Sequence, residues 1–219
     1  MNVKRSSIEI IPNGIRVADY QKKMEQGLFR EMYNIKKSDL ILMYLGRLNQ
    51  IKGIDLLLQS YADIVNETKP SMLVIIGGDD GILLKLREQT VDLNLQQNVI
   101  FTGPLYGFDK IHALYDADVF VLPSRYEMFP ISILEAAACG NAVISTKYCG
   151  IEEIVKNFGL IVEFDRKNLA DSMLSLMNDD EFRISLGNVG IQIVREKYGW
   201  DIIVNQYEKM YHDVIQSNK

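Results

Sequence analysis

With only two cysteines in 219 residues, Cys139 and Cys149, the chain has too few for a disulfide framework. Cys139 falls in an alanine-rich segment that reads as a buried helix, so both are expected as reduced thiols. Long hydrophobic runs are also missing. No stretch approaches the roughly 20 apolar residues that a membrane span needs, and the N-terminal MNVKRSSIEIIPNG is charged without a sustained apolar core, unlike a secretory signal. A cytoplasmic location is the expectation. There is no excess of basic charge: 24 Lys and Arg against 29 Asp and Glu leave a formal charge of -5, which repels a polyanion and disfavours nucleic acid as a partner. A few cations gathered at one place would still hold a small phosphate ligand. His112 and His212 have no Cys or His partner at ligand spacing, so no metal is expected. Five prolines, no low-complexity tract, no internal repeat and no linker point to one folded unit. We assign residues 1–219 to a single domain, with a core over about residues 8–200 and a terminal helix over 201–219.

Short apolar runs alternating with longer amphipathic segments mark a parallel sheet covered by helices on both faces. The runs 41–45, 72–76, 99–101, 119–122, 142–146 and 160–163 read as six parallel strands of an α/β, Rossmann-like three-layer αβα domain. Between them, 54–67 sets Ile54, Leu57, Leu58, Tyr61, Ile64 and Val65 on one helical face, opposite Asp55, Gln59 and Asp63. Segments 109–115 and 131–139 read alike, the second closed by Gly140. Three helical patterns follow, near 169–177, 181–197 and 201–216. The last places Ile203, Tyr207, Met210, Tyr211 and Val214 on one face; the domain's own core is expected to take most of them, and a neighbouring domain the rest.

In open parallel sheets ligands bind beyond the carboxyl ends of the strands, so the loops after the strands are where function lies. Gly46-Arg47-Leu48-Asn49-Gln50-Ile51-Lys52-Gly53 ends a strand, opens a helix and carries two cations, which suits a diphosphate; a solvated loop is the plainer reading. In the segment 124–140, Pro130 suits a first helical position and would leave the amides of Ile131, Ser132 and Ile133 free for an anion. Glu135 is the one ionisable residue between Ile131 and Cys139, and a buried carboxylate needs partners, either ligand hydroxyls or a structural Lys or Arg. Glu127 reads as a site acid or an exposed loop acid. Ile76-Gly77-Gly78-Asp79-Asp80-Gly81 lacks the G-x-G-x-x-G spacing, and its two acids would repel a pyrophosphate, so these glycines are read as easing a tight strand-to-helix turn. Asp116-Ala117-Asp118 precedes the strand 119–122 at its amino end, the wrong end for a D-x-D metal site.

Taken together these segments resemble the family 4, or group 1, glycosyltransferases of GT-B architecture. Gly46 to Gly53 matches G-R-L-x-x-x-K-G, and Glu127 with Glu135 matches E-x7-E. The stretch from Ala117 to Gly140 is similar to A-D-V-F-V-x-P-S-x-x-E-x-F-x-x-x-x-L-E-A-x-A-x-G, Ile11 to Gly14 to I-P-N-G, and Tyr198-Gly199-Trp200 to the aromatic step before the family's last helix. Departures include Met128 where many members have Gly, Asn141-Ala142 for an x-Pro pair, and Cys149 and Glu152 where Gly and Pro are common. The resemblance implies the C-terminal, donor-binding half of a retaining enzyme that moves a hexose from a UDP-, GDP- or ADP-sugar to a glycan, lipid or polysaccharide acceptor. It implies no metal or other cofactor and no side-chain nucleophile. Arg47 and Lys52 would neutralise the leaving diphosphate together with the helix start at Ile131, Ser132 and Ile133; Glu127 would contact the sugar, Glu135 the ribose hydroxyls and the Gly103-Pro104 region the base, with Phe129 also at the donor site. The acceptor would be bound by a separate N-terminal domain, so the chain alone is expected to be inactive. A nucleotide-sugar-binding module without activity, and a GT-B-like epimerase or phosphorylase, are the alternatives.

Overall fold

A computed structural model describes residues 8–20 and 25–217. Residues 1–7, 21–24 and 218–219, which the single-domain assignment also covers, lie outside the described residues. Six strands, β1 (Leu40–Leu45), β2 (Ser71–Ile76), β3 (Val99–Gly103), β4 (Val119–Leu122), β5 (Ala142–Thr146) and β6 (Gly159–Val162), form one parallel sheet in the order β3-β2-β1-β4-β5-β6. Ten helices accompany them among the described residues: α1 (Val17–Tyr20), α2 (Leu28–Met32), α3 (Ile54–Ile64), α4 (Leu83–Asp92), α5 (Gly107–Asp116), α6 (Ile131–Ala138), α7 (Glu152–Val155), α8 (Arg166–Asn178), α9 (Asp180–Lys197) and α10 (Trp200–Ser217). Ile41, Leu42, Met43 and Tyr44 of β1 are all fully buried in succession, as a strand covered on both faces requires. Helices α3 and α8 pack together, as do α6 and α9, and these pairs supply the covering layers.

The chain winds outward from β1 to β3, then returns to place β4 on the other side of β1. That reversal opens a crevice between the carboxyl ends of β1 and β4, the place where doubly wound sheets take ligands. The short helices α1, α2 and α7 leave no clear hydrophobic period, because each is four or five residues long and placed by tertiary contacts.

Asp116 and Asp118 do sit at the amino end of β4, where they tie α2 to the sheet. Asp116 accepts from the backbone amides of Gly27 at 2.7 Å and Arg30 at 3.1 Å; Asp118 accepts from the amide of Ile41 at 2.8 Å and from Arg30 Nη2 at 3.1 Å. Asn141, in place of a more usual residue, bridges Leu114 and Ala117 through carbonyls at 2.9 and 3.0 Å. At the far end of the chain, Ile15 donates to the Tyr198 carbonyl at 2.8 Å and accepts from the Trp200 amide at 3.1 Å, so the segments around 11–14 and 198–200 meet.

The terminal helix corrects one expectation. Of the face named from its period, Ile203 alone is fully buried; Tyr207 and Tyr211 are 36% and 60% exposed. An 18-residue helix runs about 27 Å, and beyond Ile203 most side chains of α10 are exposed, although the helix also contacts α9. Among the described residues no helix is long and apolar enough to cross a membrane.

Candidate functional site

A cleft of ≈ 350 Å³ opens at the β1–β4 reversal, lined among others by Gly46, Lys52, Tyr106, Lys110, Glu127 and Glu135. Its edges are Leu45 and Leu122, the last residues of β1 and β4, and its far wall is Pro130, Ile131 and Ser132 at the start of α6.

The loop after β1 is held in place from below and from the side. Buried Tyr44 donates its hydroxyl to the Arg47 carbonyl at 2.8 Å, and burial keeps that phenol well above its ordinary pKa. Gly53, between a short 3-10 turn and α3, has φ +68°, and a Cβ there would lie 2.0 Å from the Pro123 carbonyl oxygen. The glycine therefore lets the loop after β1 touch the loop after β4. Arg125, in the loop after β4, reaches the same region: its two terminal guanidinium nitrogens bind Asp55 at the start of α3, at 3.0 and 2.8 Å, one of them also donates to the Gln50 carbonyl in the loop after β1, and the group lies 4.5 Å from the centre of the Phe164 ring.

This clamping brings Lys52 against Glu127, which also accepts from Ser124 Oγ at 3.1 Å. The two charged side chains are 17% and 13% exposed, so the pair is largely shielded from water. Arg47 behaves differently. Its side chain is 74% exposed, binds Asp80 at 3.1 Å and does not line the cleft. The acids of the loop after β2 account for this: Asp80 also takes Asn49 Nδ2 at 3.0 Å, while Asp79 accepts the amides of Gly81, Ile82 and Leu83 at 2.9–3.0 Å and thereby fixes the turn that leads into α4. Those three amides hold the Asp79 carboxyl below its ordinary range. Gly77 serves a close approach, since a Cβ there would lie 1.8 Å from the Gly46 carbonyl oxygen.

Pro130 stands one residue before α6, as its extended N-cap and not at the first helical position expected from the sequence, and Gly140 follows the end of the helix at φ +87°. Ile133 needs correction as an anion donor, because its amide already donates to the Pro130 carbonyl at 3.1 Å and its side chain is fully buried. The amides of Ile131 and Ser132 have no recorded backbone acceptor among the described residues and border the cleft. Phe129 packs against the core, and Gly103 and Pro104 do not reach the lining; Leu105 and Tyr106 do. Met128 is 77% exposed and outside the cleft.

Glu135 has the structural cation that one reading allowed. Lys110 of α5 binds its Oε1 at 2.7 Å, and Tyr20 at the end of α1 donates its hydroxyl to the same oxygen at 2.7 Å. Neither partner was foreseen. A signal for Lys110 exists, since it shares a helical face with the fully buried Ala113 and Leu114, three and four residues on. Tyr20 lies on a four-residue helix and leaves no pattern. One turn beyond Glu135, the Cys139 thiol is pushed up to about 12, by burial first and then by the Glu135 charge. Both cysteines are free; His112 is half-buried, His212 is exposed, and no metal-binding cluster occurs among the described residues.

The family model of the glycosyl transferases group 1 matches residues 25–192. The chain belongs to the group 1 glycosyl transferases. It is 29% identical over 97% of its length to N-acetyl-alpha-D-glucosaminyl L-malate synthase of Bacillus anthracis, of which it covers 55%. It thus spans about half the length of the curated relatives it matches. Among solved structures, Anabaena HepE in complex with UDP-glucose superposes with a TM-score of 0.83 at 20% identity, covering 94% of this chain and 57% of that one. The C-terminal domain of the group 1 protein LpcC from Francisella tularensis superposes with a TM-score of 0.76 at 23% identity, covering 85% of this chain and all of that one, 100%. The fold of this group 1 chain is therefore the Rossmann-like α/β half of the GT-B architecture.

Proposed function

We propose that this group 1 chain binds a nucleoside-diphosphate sugar and forms the donor half of a retaining hexosyltransferase. The observation that carries the reading is the cleft at the β1–β4 reversal, which joins a shielded Lys52–Glu127 pair, the start of α6 and the carboxylate of Glu135. A diphosphate placed between Lys52 and the amides of Ile131 and Ser132 would meet a cation and a helix N-terminus together. As the bond from the anomeric carbon to the diphosphate breaks, its electron pair passes to the leaving phosphate, and these groups stabilise the added charge without a metal. Arg47 would add to this by turning from Asp80, a modest move for an exposed side chain. Glu127 faces the sugar, Glu135 the ribose hydroxyls and Tyr106 the base. A relative solved with UDP-glucose supports this choice of donor class. The acceptor, a glycan, lipid or polysaccharide, would be bound by a further domain, whose closure supplies proximity and excludes water.

Calorimetric titration with UDP, GDP and ADP and their hexose conjugates, with and without a chelator, tests the reading. Binding of one nucleotide series unaffected by the chelator is expected, with no measurable transfer by this chain alone. Absence of binding in all series, or strict dependence on a divalent metal, would overturn it.

A further inference from the structure

We propose that Lys110 and Tyr20 are positioning residues for the donor nucleotide, acting through Glu135 by occupying one of its oxygens and turning the other toward the ligand. This rests on the reading of Glu135 as the group that meets the ribose hydroxyls.

Three separate segments converge on this carboxylate: the first turn of α5, the second turn of α6 and the end of α1. Both hydrogen bonds, from Lys110 Nζ and from Tyr20 Oη, go to Oε1 at 2.7 Å. Among the described residues no donor is recorded for Oε2, and Glu135 lines the cleft. A carboxylate with one oxygen accepting two hydrogen bonds and the other open to a cavity presents acceptor lone pairs in a fixed direction, which suits a vicinal diol. Rotation about the terminal torsion would break two charge-assisted bonds, so the open oxygen is oriented before any ligand arrives.

The supports are themselves secured. The Tyr115 hydroxyl donates to the Tyr20 carbonyl, and Lys110 Nζ lies 6.0 Å from the centre of the Tyr20 ring. The side chains of Lys110 and Glu135 are 23% and 14% exposed, so the pair is shielded yet reachable from the cleft. Tyr20, like Cys139 beside it, stays protonated across the physiological range, so the phenol remains a donor.

Binding of UDP, or of GDP or ADP if that series binds, is compared with binding of its 2′,3′-dideoxy counterpart in the unaltered chain, Tyr20→Phe, Lys110→Met and Lys110→Arg. The unaltered chain is expected to prefer the ribonucleotide by about tenfold or more. Tyr20→Phe and Lys110→Met lose most of that preference while holding the dideoxy nucleotide as before, and Lys110→Arg retains it. If the unaltered chain shows no preference, the Glu135 reading and this inference both fall. If it does show one and both Tyr20→Phe and Lys110→Met keep it, the inference alone is overturned. Equal weakening of both ligands would likewise overturn it, since it would place Lys110 on the phosphates or in the fold.

Discussion

Lys52 and Glu127 stand 75 positions apart in the chain and meet as a largely shielded ion pair in the lining of the cleft. Neither partner could stay in such a place alone, because a desolvated charge without its counter-charge is destabilising. Each therefore serves as the other's counter-charge, and under the proposed function a diphosphate reaching Lys52 would compete with Glu127.

Lys52→Met should lower both stability and nucleoside diphosphate affinity. The stability loss is expected at about 1–3 kcal/mol, since Ser124 still donates to Glu127 and some water reaches the site. In the double variant with Glu127→Gln, chemical denaturation should show most of the stability restored. Calorimetry should show the affinity still lost. Recovery of affinity in the double variant would remove Lys52 from the phosphate site.

The two glutamates should separate by ligand. Glu135→Gln is expected to weaken the bare nucleoside diphosphate and its sugar conjugate alike, on the order of 1–3 kcal/mol for a charged hydrogen-bond acceptor. Glu127→Gln should leave the bare nucleotide as tightly bound or tighter, because it releases Lys52, and weaken only the sugar conjugate. Titration of both variants with both ligands decides it. Equal damage to bare nucleotide binding would contradict the assigned roles.

Stability should fall on the alkaline side. Burial pushes the Tyr61 phenol and the Cys139 thiol up to about 12 and raises Tyr20 and Tyr44 as well. Each of these groups is neutral when protonated, so its contribution is complete below the unfolded pKa, about 8.5 for Cys and about 10 for Tyr. Above that value the unfolded chain holds fewer protons than the folded one, and stability is lost as pH rises toward the folded pKa. Denaturation midpoints measured from neutral to strongly alkaline pH should decline, with tyrosinate absorbance appearing as the chain unfolds. Native Cys139 should also alkylate far more slowly than a free thiol at mildly alkaline pH.

Asp79→Ala removes the acceptor of three amides in the turn that leads into α4. The melting temperature should drop by a few degrees at neutral pH. Because the folded carboxyl titrates below its ordinary range, its contribution is present above the unfolded pKa and disappears as pH falls through the folded one. The gap between variant and parent should therefore close on acidification. A gap that persists at low pH would mean that the Asp79 charge is not what stabilises this turn.

Much of the fold was legible because it is repetitive. Six apolar runs and the helices α3, α5 and α6 carry their period locally, whereas α4, with only Leu86 and Thr90 buried, and the short α7 were not read from the sequence; a parallel sheet buries both faces of each strand, so unbroken runs such as 41–45 need no context to be read as strands. The motif residues Lys52, Glu127 and Glu135 were also visible, and the structure places all three in one cleft. Arg47 was equally visible, yet a long exposed side chain goes to whichever charge is nearest, and that charge, Asp80, belongs to another loop.

The sequence by itself determined the covered sheet, the loops that follow its strands and the charged residues those loops carry, because these depend on residue type and short-range spacing. The tertiary structure alone decided who partners whom. Lys110 and Tyr20 reach Glu135 across 25 and 115 positions of chain, and α10 is mostly exposed beyond Ile203 although its period allowed burial. Such pairings are set by strand order and by the crossing of separate segments in space, which no local pattern encodes.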